Sequence, residues 1–407
     1  MLFQWLQVFG TVGFATFLDK PIDFRTPHNG IAVIWSLLGL MVVTLGIKRM
    51  MDKYKGGTYN QLLQAAKFIS ARKVLILYII FFFIGNIIKQ SAFGLAGLTQ
   101  VLFSIFQMKW VFFMMYVYLM LLGQANKRHF VVIFLLEFLS GFYSFFSNFK
   151  DPIFYFLIVY LGFVQSVDMK KFVRSALLML FLAVMFLMWT NVKGTYRDFL
   201  NGQTRSQSVE VSQGEAYSKL TDLVTKGMTK EEFDWALVTS LYRIEYTYHF
   251  SVVMDRVPSL MPHEYGNLLL SSLLFVTTPR FLNPDKGQLD ASAKTTKYTG
   301  ILYAGVDKGV SISLGYMVEC YIDFGYVGMF VPLYIIGLWV GFIFLYFVRE
   351  KGMNTILAYA LASSIIIHFQ AFETDSIIIF GRTLINFAIF AILMKYFLPI
   401  ITSYLRE

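Results

Sequence analysis

The chain reads as an all-α integral membrane protein of about ten transmembrane helices with one long, partly helical outer loop. Three observations predict this. Of 407 residues, 57% are hydrophobic and only 15% charged, a balance that places the chain in a bilayer. Apolar segments of about 15 to 20 residues recur between short polar loops, the length a helix needs to cross a core of roughly 30 Å, and longer than barrel strands. Basic clusters follow every second segment: Lys48, Arg49, Lys53 and Lys55; Lys127 and Arg128; Lys170, Lys171 and Arg174; Arg349 and Lys351. That alternation is the positive-inside bias, so the net charge of +10 reports topology and not nucleic acid.

Taking the basic side as inside fixes the order of elements. Leu2 to Leu18, with neither a basic leader nor a small-residue cleavage site, is expected to run outward as a first span and not as a removable signal peptide. Ile31 to Ile47 returns. Thr58 to Ile69, apolar at helical spacing, lies along the inner surface. Val74 to Ile88 goes out. Gln90 to Met108 is placed as an amphipathic segment at the outer interface, since a crossing there would put Lys127 and Arg128 outside. Trp110 to Leu122 goes in, Phe130 to Phe146 out, Pro152 to Val167 in and Ala176 to Thr190 out. Three regions follow: 1–190 with the first helices, 191–325 as the large loop, and 326–407 with the last spans, Val327 to Phe347, Thr355 to Phe369 and Ile377 to Ile400.

A loop as long as 191–325 is functional or disordered in a threaded membrane protein. Thr229 and Glu232 have capping-box spacing, and a helix starting there runs to Arg256, ahead of Pro258, with Arg243, Tyr246 and Phe250 on one face. An apolar run at Leu268 to Val276, too short to span, delivers Arg280 and then Lys286 to the membrane boundary. Their two readings are a phosphate or pyrophosphate site and a simple anchor to lipid headgroups. Glu319 falls at the outer boundary, where desolvation suits a general base acting on a sugar hydroxyl; the alternative is a structural carboxylate paired with a loop arginine. Gly325 and Gly328 allow close backbone approach.

Arg243 and Arg256 are candidates for an anionic substrate, Arg256 the weaker of the two. Arg382 stands inside the last span, where a charge needs a cavity or a partner, and Glu373 and Asp375 are the nearest candidates in sequence. Those two acids make a weak case for a divalent site. Lys150 and Asp151, at an outer tip, are candidates for the same basic cavity. Glu137, mid-span, reads as hydrogen-bonded to a neighbouring helix. His249, His263 and His368 lack metal-ligand spacing, and the single cysteine, Cys320, excludes an internal disulfide and a cysteine-based zinc site.

In this order of features the sequence resembles the oligosaccharide repeat-unit polymerases, the Wzy-type O-antigen polymerases. The resemblance rests on Arg243, Pro258, Tyr265-Gly266, Pro279-Arg280, Pro284-Asp285-Lys286 and Glu319-x-Tyr321-x-Asp323-Phe324-Gly325-x-x-Gly328, and covers Arg243 to Gly328 closely. Asn283 and Asp323 stand where that family more often has Trp and Asn. The resemblance implies a metal-independent, cofactor-free, GT-C-like glycosyltransferase of the bacterial inner membrane, acting on the periplasmic face. It would join undecaprenyl-pyrophosphate-linked oligosaccharides and release undecaprenyl pyrophosphate. It implies pyrophosphate or sugar contacts from Arg243, Arg280, Lys286, Tyr321 and Arg382, with His263, Arg256 and Lys150 as further candidates, and Glu319 as the base. A chain-length regulator and a flippase are the implied partners. The alternatives are an O-antigen ligase, whose loop histidine motif is not found here, and a transporter or flippase of lipid-linked sugars, which would gather its polar groups at mid-membrane.

Overall fold

The computed structural model describes residues 2–52, 54–91, 99–144, 148–163, 169–203, 209–278, 283, 286–287, 290–305 and 310–406. Among the described residues the regular structure is all helical. In chain order the helices are α1 (Leu2–Phe17), α2 (Asn29–Met51), α3 (Tyr59–Ala66), α4 (Ala71–Ser91), α5 (Thr99–Leu121), α6 (Lys127–Ser140), α7 (Asp151–Phe163), α8 (Met169–Leu200), α9 (Gln213–Thr225) and α10 (Lys230–Ile244). They continue with α11 (Thr247–Arg256), α12 (Asn267–Thr277), α13 (Ala291–Thr299), α14 (Tyr316–Gly328), α15 (Phe330–Arg349), α16 (Thr355–Ile366) and α17 (Ser376–Leu405). Five are long and apolar enough to cross a membrane: α2, most of α5, the later part of α8, α15 and α17; the pair α3 and α4, bent by 81°, makes a sixth if counted as one span.

The core is built round α5, every residue of which is buried from Met108 to Met120. A helix apolar on all sides has no wet face and belongs in the middle of a bundle. Its one charge there, Lys109, lies 2.8 Å from Glu137 of α6, and the Tyr78 hydroxyl of α4 donates to the same carboxylate at 3.0 Å. Glu137 is thus tied to neighbouring helices. α2 and α15 run side by side in the same direction, in contact through glycines. A Cβ at Gly46 would lie 2.5 Å from the Tyr334 carbonyl oxygen, and one at Gly337 2.2 Å from that of Val43.

The two ends of the bundle are built from different elements. At one end Ser70 N donates to the Leu405 carbonyl at 2.8 Å, Lys73 Nζ to that of Arg406 at 2.5 Å and Asn354 Nδ2 to that of Ala65 at 2.9 Å. Lys48 and Arg49 close α2 there and Arg349 closes α15. At the opposite end, the loop end, α9 to α13 gather over the bundle.

Three expectations are corrected. Thr99 to Leu121 is one helix, so the segment expected at the interface continues directly into the next span; no proline or glycine interrupts it, and Glu137 neutralises Lys109. The earlier part of Gln90 to Met108, residues 92–98, lies outside the described residues. α8 runs unbroken past Asn191 to Leu200, so the loop begins later than residue 191. The helix expected from Thr229 to Arg256 has the Thr229–Glu232 capping box but breaks at Glu245, whose carboxylate is held by Arg25 and by the Asn29 amide. Arg243, Tyr246 and Phe250 therefore do not form one face.

α1, expected as a first span, is 16 residues long, shorter than the five helices above. Its start is level with Phe369 and Ala371, whose carbonyls accept from Gln4; further along, Gly10 meets Ile244 and Phe14 packs edge-on to Tyr242 at 4.8 Å. Gln4, Gln7 and Thr11 make a polar stripe along one face. Gln4 and Thr11 are fully buried, and buried polar groups need partners that lipid cannot supply and the loop end can.

Candidate functional site

A set of cations on three elements gathers at the loop end. Ser240 of α10 donates to the Thr190 hydroxyl of α8 at 3.3 Å, both side chains being buried, and this contact fixes the two helices against each other. One turn beyond it on α8 come Lys193 and then Arg197, four apart and so on the same face. One turn beyond Ser240 on α10 comes Arg243. Lys150 arrives from the turn before α7, anchored because the adjacent Phe149 is buried edge-on against Trp189 at 5.0 Å.

Each cation feels the others. Burial pushes the Lys150 ammonium down to about 8; Arg243 and Arg197 push the same way, and Asp151 and Glu373 oppose them. Lys193 lies within electrostatic reach of Arg243, Arg197 and Lys150. Arg243 sits in a recess: its own surface is open to water, yet the surrounding protein lowers its affinity for a proton, with Glu373 acting the other way. Like charges brought together in partly desolvated surroundings repel unless an anion joins them. Asp151 and Glu373 offset part of that repulsion, and guanidinium and ammonium groups at this spacing are suited chemically to an anion with several oxygens.

Glu373 is oriented from α1. Gln7 Nε2 donates to Glu373 Oε2, and Gln7 Oε1 accepts from Phe372 N at 2.7 Å, so the amide that holds the carboxylate is itself held by backbone. Gly10, one turn along α1 from Gln7, receives Ile244, the residue after Arg243. One helix thus brings the carboxylate and the guanidinium into one site.

A second polar group lies deeper. Lys294 of α13 bridges Glu319 of α14 and Asp375 at the start of α17, and Glu319 Oε2 also accepts from Ser376 N at 2.8 Å. Burial first, and then the Asp375 carboxylate, push Glu319 up to about 7, against Lys294 and its hydrogen bonds. For Lys294 burial acts downward, and the two carboxylates outweigh it and raise the ammonium. Both oxygens of Glu319 are engaged and its side chain is 0% exposed, so this group ties three helices together.

Residues 10–404 match the family model described as a domain of unknown function, DUF8712. The chain belongs to that family. No curated protein and no solved structure matches it.

Within this DUF8712 chain the residues singled out from sequence scatter. Arg243 and Lys150 come together in the cation cluster. Arg280 lies outside the described residues. Lys286 is not turned to the cluster: its ammonium donates to the Phe275 and Thr278 carbonyls and sits 3.9 Å from the Phe275 ring centre, because the carbonyls left open at the end of α12 attract a cation. Tyr321 is fully buried and donates to the Val257 carbonyl at 2.7 Å, so it presents no hydroxyl to a substrate. His263 packs its ring against Tyr321 and Gly325, with Nδ1 3.1 Å from the Ile322 carbonyl. Arg256 lies against Gly300 with its Nε buried.

Arg382 does not pair with Glu373 or Asp375, which are held by Gln7 and Lys294; its electrostatic neighbours are Tyr155 and His368. For the same reason the two acids do not converge on a shared metal position. Gly325 serves the backbone, at φ 68°, in a kink inside α14. Asp323, fully buried, accepts from Leu268 N at 3.0 Å and Leu269 N at 2.9 Å and so caps the amino end of α12. Lys193, Arg197 and Lys294 were missed. The first two carried a signal, a four-residue cation spacing at the end of an apolar run; Lys294 carried none.

Proposed function

We propose that this protein is a membrane glycosyltransferase that joins polyprenyl-pyrophosphate-linked oligosaccharide repeat units, releasing the polyprenyl pyrophosphate. The observation that carries the reading is the convergence of Lys150, Lys193, Arg197 and Arg243 at the loop end, beside the lipid-facing helix α8. A diphosphate lipid has its head at that height and its chain in the bilayer, and its departure from a sugar leaves charge that fixed cations stabilise. The sequence resemblance suggests the reaction, and the cluster supports it with cations suited to the leaving group. On this reading the fold is GT-C-like with about ten spans, the loop end faces the periplasm and the membrane is the bacterial inner one. Arg280 belongs to the proposal as a further cation, while Glu319 enters it as the clamp between α13, α14 and α17.

The test is to incubate the purified full-length protein with synthetic lipid-linked repeat units. A ladder of lengthened products is expected, with Arg243→Ala slowing its growth about 10- to 100-fold, the range for losing a hydrogen bond to a charged group. Transfer of a finished chain to a different lipid acceptor, or movement of the lipid across liposomes without lengthening, would replace the proposal with the ligase or the transporter.

A further inference from the structure

We infer that Glu373 is the catalytic base that takes the proton from the acceptor sugar's hydroxyl, an assignment that rests on the polymerase reading. Three observations carry it. Glu373 stands among the cations given to the pyrophosphate, within electrostatic reach of both Lys150 and Arg243, so a sugar joined to that pyrophosphate would lie beside its carboxylate. It is half-buried and held by Gln7 through Oε2, while Oε1 has no protein partner among the described residues. The neighbouring acids are otherwise engaged. Glu319 is enclosed by Lys294 and Ser376, and Asp375, 3% exposed, is bound by Lys294 and caps α17. Asp151 stands at the amino end of α7, whose dipole it complements.

The step balances within the site. The acceptor hydroxyl gives its proton to Glu373 Oε1 as its oxygen bonds to the donor's anomeric carbon. The bond from that carbon to the pyrophosphate oxygen breaks, its electron pair staying on the pyrophosphate, where the cations meet the added charge. Glu373 then releases the proton to water.

The experiment compares wild type, Glu373→Gln, Glu373→Asp and Asp151→Asn by the rate of ladder growth on synthetic lipid-linked repeat units. Binding of a fluorescent lipid-linked unit is measured separately. Glu373→Gln is expected to lower the maximal rate by about 100-fold or more, the usual contribution of a positioned base. Donor affinity should be unchanged or tighter, one negative charge having left the neighbourhood of a diphosphate. Glu373→Asp, which keeps a carboxylate one methylene shorter, recovers part of the rate. Glu373 acting only as a charge partner for Arg243 would show the reverse, weaker donor binding with an intact maximal rate, and would overturn the assignment. A Glu373→Gln rate within about threefold of wild type, or a full loss in Asp151→Asn alone, would overturn it too while leaving the polymerase reading standing. If wild type builds no ladder at all, both fall together.

Discussion

At the scale of single residues, the most consequential group is Lys294, one ammonium between two buried carboxylates. Removing it strands both acids without a counter-charge, and breaking a buried pair costs about 3–5 kcal/mol. Lys294→Met should therefore lower thermal stability sharply, read as the unfolding midpoint of the purified protein in detergent. Glu319 adds a pH dependence whose sign follows from its raised affinity for a proton. The unfolded carboxyl ionises near 4.5 and the folded one at about 7, so the contribution is complete below the first value and lost as pH rises through the second. Wild type should lose stability between those pH values, and Glu319→Gln should flatten that decline. The sequence singles out Glu319 and Asp375 but leaves their partner unnamed. Lys294 is 25 and 81 residues from them, and nothing local marks it, because the pairing is created by packing α13 against α14 and α17.

At the scale of elements, apolar segments and caps were readable because their causes are local. The Thr229–Glu232 box follows from residues three apart. What escaped was whatever depends on a distant partner. α1 has the apolar content of a span, and only the loop end shows why Gln4, Gln7 and Thr11 face protein. The glycine seam between α2 and α15 escaped for the same reason. It gives a test: Gly337→Leu forces a side chain into the Val43 carbonyl, where backbone cannot yield, so it should destabilise by at least the roughly 1–3 kcal/mol of an overpacked core. Gly162→Leu, with open space around its Cβ position, is the matched control and should leave the unfolding midpoint near wild type.

At the scale of the whole molecule, Lys48, Arg49 and Arg349 lie at the end opposite the loop helices, and the charge alternation along the sequence makes the orientation testable. The expected outcome in intact cells is that a membrane-impermeant thiol reagent labels Ser218→Cys, exposed on α9, and labels Gln124→Cys, in the turn after α5, only after lysis. Cys320, the one native cysteine, is buried and leaves the background silent. The reverse pattern would invert the protein and place the cation cluster on the inner face. One further consequence belongs to α8. At 32 residues it is about 48 Å long, well beyond the roughly 30 Å of hydrocarbon, and its foot presents Leu177, Leu180 and Phe181 outward while Lys193 and Arg197 ride near its tip. Because this rod has no joint, the lean of the foot in its lipid surroundings and the whereabouts of two charges at the tip are a single variable, and bilayer thickness acts on both at once.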